Sequence, residues 1–446
     1  MASALPYLRL VSFLLPLVVT MVVAGMMPQF LAGGIARGLR PTQTLAAYAL
    51  AWGMADFLAS PMSQVRQLAL VLVSSRRQAL QVLRFVLSCG MLLAAILGLL
   101  ALSSAGRYIV EDLHETSADL GRVVRLALLL LIPYPLLEAL QSWMSGLLMR
   151  VRRTEVVSVG MLVGIGASLL TVFVAVPTPL VRELPIALPL LATYAGQLAN
   201  MIVLVVGISR YVHPRLDDGS LGKGVGVDLS FRYLAKFFWP LALTMAIQGL
   251  SRPVINLFIS RGLQGEQALA ALAVVYSLAH LPYTWLNELR SLPAVFVEYG
   301  RAGLRRIRRF SGACGILSFL LMVVAFWVPT VRDLLLLDLL AVPAAVAARC
   351  HVPLVLFSFF PPAVSVRGYL QGVALRQRRT SALAPSAPAR IGAILAVLLL
   401  VPGTWWSGTT RGVAALLCGF VLEAFVIWYF VYLRRPIVLS RQKGEA

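Results

Sequence analysis

Long apolar stretches recur along the whole chain, and short polar connections rich in arginine separate them. A helix of roughly 20 mostly apolar residues can cross the hydrocarbon core of a bilayer, and these stretches reach or exceed that length. The pattern predicts about twelve membrane-spanning helices, near residues 8–35, 45–74, 80–105, 120–149, 155–178, 185–210, 233–262, 267–298, 310–330, 346–375, 383–402 and 410–433. The sequence therefore predicts an all-α polytopic membrane protein.

The composition supports this interpretation. Hydrophobic residues make up 59% of the 446 residues and charged residues only 13%, about half the charged share of a typical soluble domain. The formal net charge of +21 would suggest a nucleic-acid partner if the protein were soluble. In a membrane protein, however, arginine and lysine collect in cytoplasmic connections. We therefore attribute the basic excess to topology and expect no nucleic-acid partner.

The basic residues collect on alternate connections between the predicted spans. The richer connections hold the basic residues within 76–77, 150–153, 210–236, 301–309, 376–379 and 434–443. The positive-inside rule makes these connections cytoplasmic, so both termini are predicted to lie in the cytoplasm. The expected location is the plasma membrane, or the inner membrane if the protein is bacterial, with membrane lipid as a constant partner.

The first apolar stretch occurs a second time in the chain. When the sequence is shifted by 224 residues, LPLVVTMVVAGMMPQFLAGGIARGL from Leu15 aligns with WPLALTMAIQGLSRPVINLFISRGL from Trp239. With a slip of two more residues, RVRRT at Arg150 aligns with RQRRT at Arg376. Because proline, glycine and arginine positions share this register, we predict a six-plus-six duplication that forms two parallel-oriented six-helix bundles.

The duplication predicts the domain organisation. The N-terminal bundle is expected at 1–212 and the C-terminal bundle at 231–436, with a cytoplasmic linker at 213–230 and a short cytoplasmic tail at 437–446. Two similar bundles around one site would provide alternating access by rocking against each other. The first helix of each bundle is expected to be kinked or broken near its prolines, Pro16, Pro28, Pro240 and Pro253.

Arginines within the predicted spans are the leading candidates for chemistry, namely Arg66, Arg252, Arg290 and Arg367. A charged side chain inside a membrane is costly, so it usually faces the protein interior or a watery cavity. Guanidinium groups hold carboxylates and phosphates through paired hydrogen bonds, so we expect a small-molecule anion with several charges. The structural alternative is that Arg66, Arg290 and Arg367 reach the lipid headgroups or pair with Asp56, Glu138 and Glu288.

Further polar residues recur at helical spacing beside these arginines. Gln248, Arg252 and Asn256 stand four residues apart and would share one face of a helix. His280, Tyr283 and Asn287 would share a second face, which Glu288 and Arg290 flank. For His280 the alternative is a purely structural hydrogen bond, and Glu423, alone in the last span, is a candidate structural partner. The predicted substrate-binding set is Gln248, Arg252, Asn256, His280, Tyr283, Asn287, Glu288, Arg290, Arg367 and Arg66.

Signatures of enzymes and pumps are missing from the sequence. GSLGKGVG at Gly219 has the wrong spacing for a phosphate-binding P-loop, and no GxSxG motif occurs. We therefore predict no catalytic residue, no cofactor and no metal site, and we expect the protein not to be an enzyme. Asp56 and Glu138 remain candidates for coupling to H⁺ or Na⁺, or for structural pairing.

The sequence resembles the progressive ankylosis family of multi-pass membrane proteins. The resemblance rests on FFWPLALTMAIQGLSRPVINLFISRGL, HLPYTWLNELR, FSFFPPAVSVRGYLQG with RRTSALAPS, and SPMSQVRQLALVLVSSRR. It implies a fold like that of the multidrug and toxin extruders, in a superfamily that also includes lipid-linked sugar flippases. It further implies efflux of anionic metabolites such as pyrophosphate, ATP and citrate. Carried over by position, the implied site residues are Arg252, Asn256, His280, Tyr283, Glu288, Arg290 and Arg367.

Together these inferences predict a transporter that exports multivalent anions from the cytoplasm by alternating access. Inorganic pyrophosphate, ATP, citrate and similar carboxylates all fit the prediction. An exporter of lipid head groups or drugs with the same fold is the first alternative. A membrane regulator or scaffold that transports nothing is the second.

Overall fold

The structure is a computed structural model that describes residues 5–25, 27–35, 40–112, 117–217, 229–262, 264–340, 342–402 and 405–433. Every regular element within these residues is helical, and they contain no strand. The chain divides into two compact units. The N-terminal unit consists of Leu8–Ala242, and the C-terminal unit consists of Met1–Tyr7 and Leu243–Ala446.

The first half of the chain forms twelve α-helices in its described part. They are α1 (Tyr7–Ala24), α2 (Met27–Ile35), α3 (Pro41–Ala59), α4 (Val65–Leu72), α5 (Arg76–Leu102), α6 (Ser104–Arg107), α7 (Ala118–Leu130), α8 (Tyr134–Arg150), α9 (Thr154–Ala175), α10 (Pro179–Glu183), α11 (Ala187–Gly207) and α12 (His213–Asp217). The predicted linker at 213–230 therefore begins with the short helix α12, and its residues 218–228 lie outside the described residues.

The second half forms ten α-helices in its described part. They are α13 (Phe231–Gly249), α14 (Ser251–Ser260), α15 (Gly265–Thr284), α16 (Leu292–Val295), α17 (Gly300–Trp327), α18 (Pro329–Asp333), α19 (Ala344–Phe357), α20 (Phe360–Arg376), α21 (Ser386–Leu400) and α22 (Gly408–Trp428). The first part of α13 belongs to the N-terminal unit, where Phe85 packs edge-on against Phe231 and Phe238.

Helix boundaries in the two halves recur at the offsets seen in the sequence. α3 begins at Pro41 and α15 at Gly265, which is an offset of 224 residues. α8 and α20 cover Tyr134–Arg150 and Phe360–Arg376, which is an offset of 226 residues. A π-helical segment also follows α11 in the first half and α22 in the second. The predicted six-plus-six repeat is confirmed.

The two halves repeat an unusual backbone conformation as well. Arg40 and Gln264, which precede α3 and α15, have φ angles of 51° and 56°. Arg152 and Arg378, which follow α8 and α20, have φ angles of 62° and 56°. This left-handed conformation costs a residue other than glycine roughly 1–2 kcal/mol. The same strained turns are therefore built into both halves.

Close helix packing holds two of the arginine-bearing segments in equivalent positions. A methyl group added to Gly146 on α8 would collide with the backbone oxygen of Arg66. One added to Gly372 on α20 would collide with the backbone oxygen of Arg290. Small residues let membrane helices approach closely in this way. In each unit, therefore, the segment that carries the arginine packs closely against an equivalent helix, α8 in the N-terminal unit and α20 in the C-terminal unit.

The breaks in the first helices come at glycine rather than at the interior prolines. Pro16 and Pro240 lie inside α1 and α13 without ending them. The breaks follow instead at Gly25 and at Gly249, and Pro253 lies in the first turn of α14. An early helical position suits proline because the backbone N–H there has no partner within the helix. The predicted interruption exists, but its position differs.

Eleven segments of the described residues are long and apolar enough to cross a membrane. They correspond to every predicted span except 45–74, which α3, a 3₁₀ turn at Ser60–Gln64 and α4 divide into shorter pieces. Many apolar side chains on these helices are exposed, for example Leu99 at 66% and Phe173 at 66%. Such surfaces suit lipid rather than water. The predicted all-α membrane fold is confirmed, with a helix count close to twelve.

Candidate functional site

Three arginines of the C-terminal unit lie around one group of aromatic side chains. Arg252 is in the first turn of α14, Arg367 is near the middle of α20, and Arg390 is one turn into α21. Arg252 approaches His280, which contacts the Tyr283 hydroxyl. The Tyr283 ring packs against Phe360, and Phe360 packs against Phe420, which both Arg367 and Arg390 contact. Because like charges repel, such a grouping needs a counter-charge from the protein or from a ligand. We name these three residues the arginine cluster.

Glu423 on α22 supplies the counter-charge and binds two members of the cluster. Its Oε2 accepts hydrogen bonds from Nη1 of Arg367 at 3.2 Å and from Nη1 of Arg390 at 3.3 Å. Its Oε1 accepts a hydrogen bond from Nε2 of Gln248 at 2.5 Å. The Glu423 side chain is fully buried. One carboxylate therefore holds side chains from α13, α20 and α21.

The two guanidinium groups that bind Glu423 are themselves buried, with 6% exposure for each arginine. Nη2 of Arg367 also donates to Oδ1 of Asn287 at 2.5 Å. The ring of Phe420 lies 4.7 Å from the guanidinium carbon of Arg367 and 4.0 Å from that of Arg390, within the range of cation–π attraction. The Nε atoms of both arginines are buried and have no hydrogen-bond partner among the described residues. Arg367 and Arg390 therefore each retain one N–H donor that makes no hydrogen bond among the described residues.

Arg252 occupies a more open position. Its side chain is exposed, and its guanidinium carbon lies 4.7 Å from the centre of the Tyr276 ring. Its Nη2 is 3.4 Å from Nδ1 of His280, and the same Nδ1 is 2.9 Å from the hydroxyl of Tyr283. The neutral imidazole can accept a hydrogen bond at this nitrogen, which leaves the charge of Arg252 available.

A chain of packed aromatic rings leads from the neighbourhood of Arg252 to the buried pair. The ring centres of Tyr283 and Phe360 are 5.7 Å apart, and those of Phe360 and Phe420 are 5.2 Å apart. Phe357 stacks on Phe360 at 4.2 Å. Rigid rings fix the surrounding side chains at little entropic cost because they have few rotatable bonds. We call these four rings, Tyr283, Phe357, Phe360 and Phe420, the aromatic wall. The arginine cluster lies around this rigid apolar surface.

The structure brings some of the predicted site residues together at the arginine cluster and places the others elsewhere. It brings Gln248, Arg252, His280, Tyr283, Asn287 and Arg367 to the arginine cluster and its neighbours. Asn256 is exposed on α14, one turn after Arg252. Glu288 is buried and Arg290 is partly buried, and both lie on the 3₁₀ segment Trp285–Ser291. Arg66 belongs to the N-terminal unit, whereas the arginine cluster belongs to the C-terminal unit.

The predicted spacing of Gln248, Arg252 and Asn256 on one helix face is wrong in one respect. The helix ends at Gly249 and a new one begins at Ser251, so Gln248 lies on α13 while the other two lie on α14. Gln248 binds Glu423, whereas Arg252 lies beside Tyr276 and His280. The break explains this difference because it changes the direction of the side chains that follow it.

Arg390 was missed among the arginines within spans. It lies in the predicted span 383–402, in the sequence SAPARIGA, so the same criterion that selected Arg252 also selects it. Arg367 does pair with an acid, as the structural alternative predicts. The acid is Glu423, which was not among the acids named for that alternative. A lone arginine in one span and a lone glutamate in the next were the available signal for the Arg390–Glu423 pair.

Acidic residues of the N-terminal unit form a separate group. Oδ1 of Asp56 accepts a hydrogen bond from the Tyr134 hydroxyl at 3.2 Å. Oε1 of Glu138 accepts a hydrogen bond from the Ser142 hydroxyl at 3.4 Å. The pairing of Arg66 with a membrane acid stays a prediction. Among the described residues, no group of three or more His, Cys, Asp and Glu is placed to hold a metal ion.

Solved structures of membrane transporters share this fold over nearly the whole chain. The Vibrio cholerae MATE transporter VcmN in its bent form is 14% identical and covers 95% of each chain with a TM-score of 0.65. The eukaryotic MATE transporter AtDTX14 is 13% identical, with a TM-score of 0.63 over 96% of this chain and 95% of its own. A MOP superfamily transporter from Pyrococcus furiosus is 12% identical, with a TM-score of 0.62 over 94% of each chain. At these identities the likeness establishes the fold alone.

The sequence itself matches a family model. The model described as progressive ankylosis protein (ANKH) matches residues 1–328. The match includes α1 to α17 and the segment that carries Arg252, His280 and Tyr283, while Arg367, Arg390 and Glu423 follow it. A match over most of the chain confirms the resemblance found in the sequence motifs, and the protein belongs to the progressive ankylosis protein (ANKH) family.

Proposed function

We propose that the protein is a membrane transporter that exports multivalent anions. The observation that carries this proposal is the arginine cluster, in which Arg367 and Arg390 share the carboxylate of Glu423. Arg252, the third member, lies beside Tyr276 and His280 and does not contact that carboxylate among the described contacts. The group therefore has an excess of positive charge. Charges inside a membrane domain are expensive, and they usually mark the path of a substrate or ion.

The chemistry of the cluster favours carboxylates and phosphates. A guanidinium is planar, stays charged at any physiological pH, and presents its donors in a fork that matches two oxygens of such groups. The buried Nε atoms of Arg367 and Arg390 are donors of this kind without a partner among the described residues. An anion with several acidic groups could bind the exposed Arg252 as well. Pyrophosphate, ATP and citrate have this character.

The membrane potential can supply the energy for such export. Moving one charge across 100 mV is worth about 2.3 kcal/mol, so a −3 anion that leaves a negative interior gains about 7 kcal/mol. This corresponds to a concentration ratio of roughly 10⁵. We propose facilitated efflux by alternating access across the plasma membrane or bacterial inner membrane, with both termini in the cytoplasm. Coupling to H⁺ or Na⁺ through Asp56 or Glu138 is the alternative.

Purified full-length protein in liposomes provides the test. Radiolabelled citrate, ATP and pyrophosphate are offered in turn, and accumulation is followed under a potassium–valinomycin potential. We expect uptake of at least one of these anions, and we expect Arg367→Gln to abolish it. Arg309→Gln, which changes an exposed arginine on α17, is the matched control and should transport normally.

Two outcomes would overturn the proposal. Normal transport by Arg367→Gln would show that the arginine cluster does not bind the substrate. Absence of transport for all three anions, with movement of a labelled lipid or a cationic drug, would favour the exporter of lipid head groups or drugs. A protein that moves none of these compounds would favour the scaffold.

A further inference from the structure

We infer that Glu423 restricts the site to anions that carry more than one negative charge, because its own carboxylate binds the guanidinium groups of Arg367 and Arg390. The inference rests on the proposed function, since it concerns the selectivity of the same site. It assigns to Glu423 a role as a specificity-determining residue in addition to its structural one.

The geometry of Glu423 is that of a bound carboxylate ligand. Its Oε2 lies 3.2 Å from Nη1 of Arg367 and 3.3 Å from Nη1 of Arg390, and its Oε1 is held by Gln248 at 2.5 Å. The side chain has no solvent-exposed surface. An incoming carboxylate would therefore find these particular donors already bound to a group of its own chemical type.

Competition with Glu423 places monovalent anions at a disadvantage. A side chain tethered next to its partners acts at a high effective concentration, which a single carboxylate in solution does not match. A monocarboxylate also offers no attraction that Glu423 lacks, and it must lose its hydration to enter. Binding of such an anion to Arg367 and Arg390 is consequently unfavourable.

An anion with several acidic groups has contacts that Glu423 cannot make. Arg252 is exposed and lies next to His280, which contacts the hydroxyl of Tyr283 in the aromatic wall. The Nε donors of Arg367 and Arg390 remain without partners. A ligand that binds Arg252 with one group and the buried pair with another gains charge-assisted hydrogen bonds at both ends. Multivalency therefore decides which anions displace Glu423.

The substitution Glu423→Gln removes the charge of the competitor and preserves its size. The wild-type protein in liposomes should take up labelled citrate, and acetate should inhibit that uptake only weakly. In Glu423→Gln acetate should inhibit more strongly, and the ratio of the inhibition constants for acetate and unlabelled citrate should fall by about tenfold or more, the equivalent of one charge-assisted hydrogen bond.

A second variant protects the test against misfolding of the first. Gln248→Met leaves the charge of Glu423 in place but removes the hydrogen bond to its Oε1. A less firmly held Glu423 should compete less well, so this variant should shift the same ratio in the same direction by a smaller factor. Glu298→Gln changes an exposed acid of the same unit and should leave the ratio unchanged.

The outcomes separate the two proposals. If the wild-type protein transports citrate, and Glu423→Gln and Gln248→Met still exclude acetate as strongly as it does, then the role assigned to Glu423 is wrong while the proposed function stands. If the wild-type protein transports no anion, the proposed function fails and the selectivity role fails with it. A lower ratio in both variants, with no change in Glu298→Gln, supports the inference.

Discussion

Replacement of Arg390 with Met should destabilise the C-terminal unit less than replacement of Arg367 with Met. The two arginines bind Oε2 of Glu423 at nearly equal distances, 3.3 Å and 3.2 Å, and both lie against Phe420. Arg367 alone also donates to Asn287. The difference between the two variants should therefore report the Arg367–Asn287 hydrogen bond.

The contacts give the expected size of each effect. A charge-assisted hydrogen bond contributes about 1.5–3 kcal/mol, and the contact with Phe420 about 0.5–2 kcal/mol. Loss of Arg390 also relieves repulsion between the two guanidiniums, and Glu423 keeps Arg367 and Gln248 as partners. We therefore expect a net cost of about 1–3 kcal/mol for Arg390→Met. Arg367→Met should cost about 1.5–3 kcal/mol more.

Buried cysteines make the measurement possible in detergent. Cys314 and Cys350 are 8% and 0% exposed, so a thiol-reactive fluorescent dye should label them only as the protein unfolds. The apparent Tm of each purified variant is compared with that of the wild type. The order should be wild type, then Arg390→Met, then Arg367→Met with the lowest Tm.

A double variant tests the assignment to Glu423. Arg390→Met combined with Glu423→Gln removes both partners of one ion pair, so its cost should be smaller than the sum of the two single costs. An Arg390→Met protein that melts at or below the temperature of Arg367→Met would refute the role given to Asn287. Additive effects in the double variant would refute the coupling between Arg390 and Glu423.

The remaining predictions concern transport and packing. Arg252→Gln should reduce anion transport strongly but leave the Tm within a degree or two of wild type, because Arg252 is exposed and surface charges contribute little to stability; a large drop in Tm would contradict this. Gly372→Val should prevent folding because the valine side chain would collide with the backbone of Arg290. The control is Gly392→Ala, whose added methyl group meets no atom within 4 Å. This control should elute as a normal folded protein in size-exclusion chromatography, whereas Gly372→Val should not. A potassium–valinomycin potential alone, at matched pH and without sodium, should drive anion accumulation; accumulation that requires a proton or sodium gradient would instead direct attention to Asp56 and Glu138.

The sequence contains enough information to predict the fold because the repeat fixes it. Pairs such as Arg150 and Arg376 end their helices in the predicted register, and the same glycine packs against the same arginine segment in each unit. The length of each apolar stretch and the register of the repeat are properties of the linear sequence, so they can be recognised without knowledge of tertiary contacts.

The site was harder to predict because its contacts join different helices. Spacing suggested that Gln248 and Arg252 act on one helix face, and the break after Gly249 directs them to different partners. Glu423 was expected to be at most a structural partner, and its arginines come from α20 and α21, which no sequence period relates. Such convergence depends on how the helices pack, which the positions of single charges do not reveal.

The strained turns shared by the two halves have a consequence for how the binding chemistry arose. Arg40 and Gln264 carry different side chains on the same left-handed backbone. The backbone conformation at this position has therefore been kept in both halves, although the residue type differs. A backbone fixed in this way lets side chains diverge without changing the scaffold. The positions equivalent to Arg252, Arg367 and Arg390 in the first half are Pro28, Gln141 and Gly164, none of which is charged. After duplication, one copy could accumulate cations on an inherited framework while the other copy was left to acquire a different task.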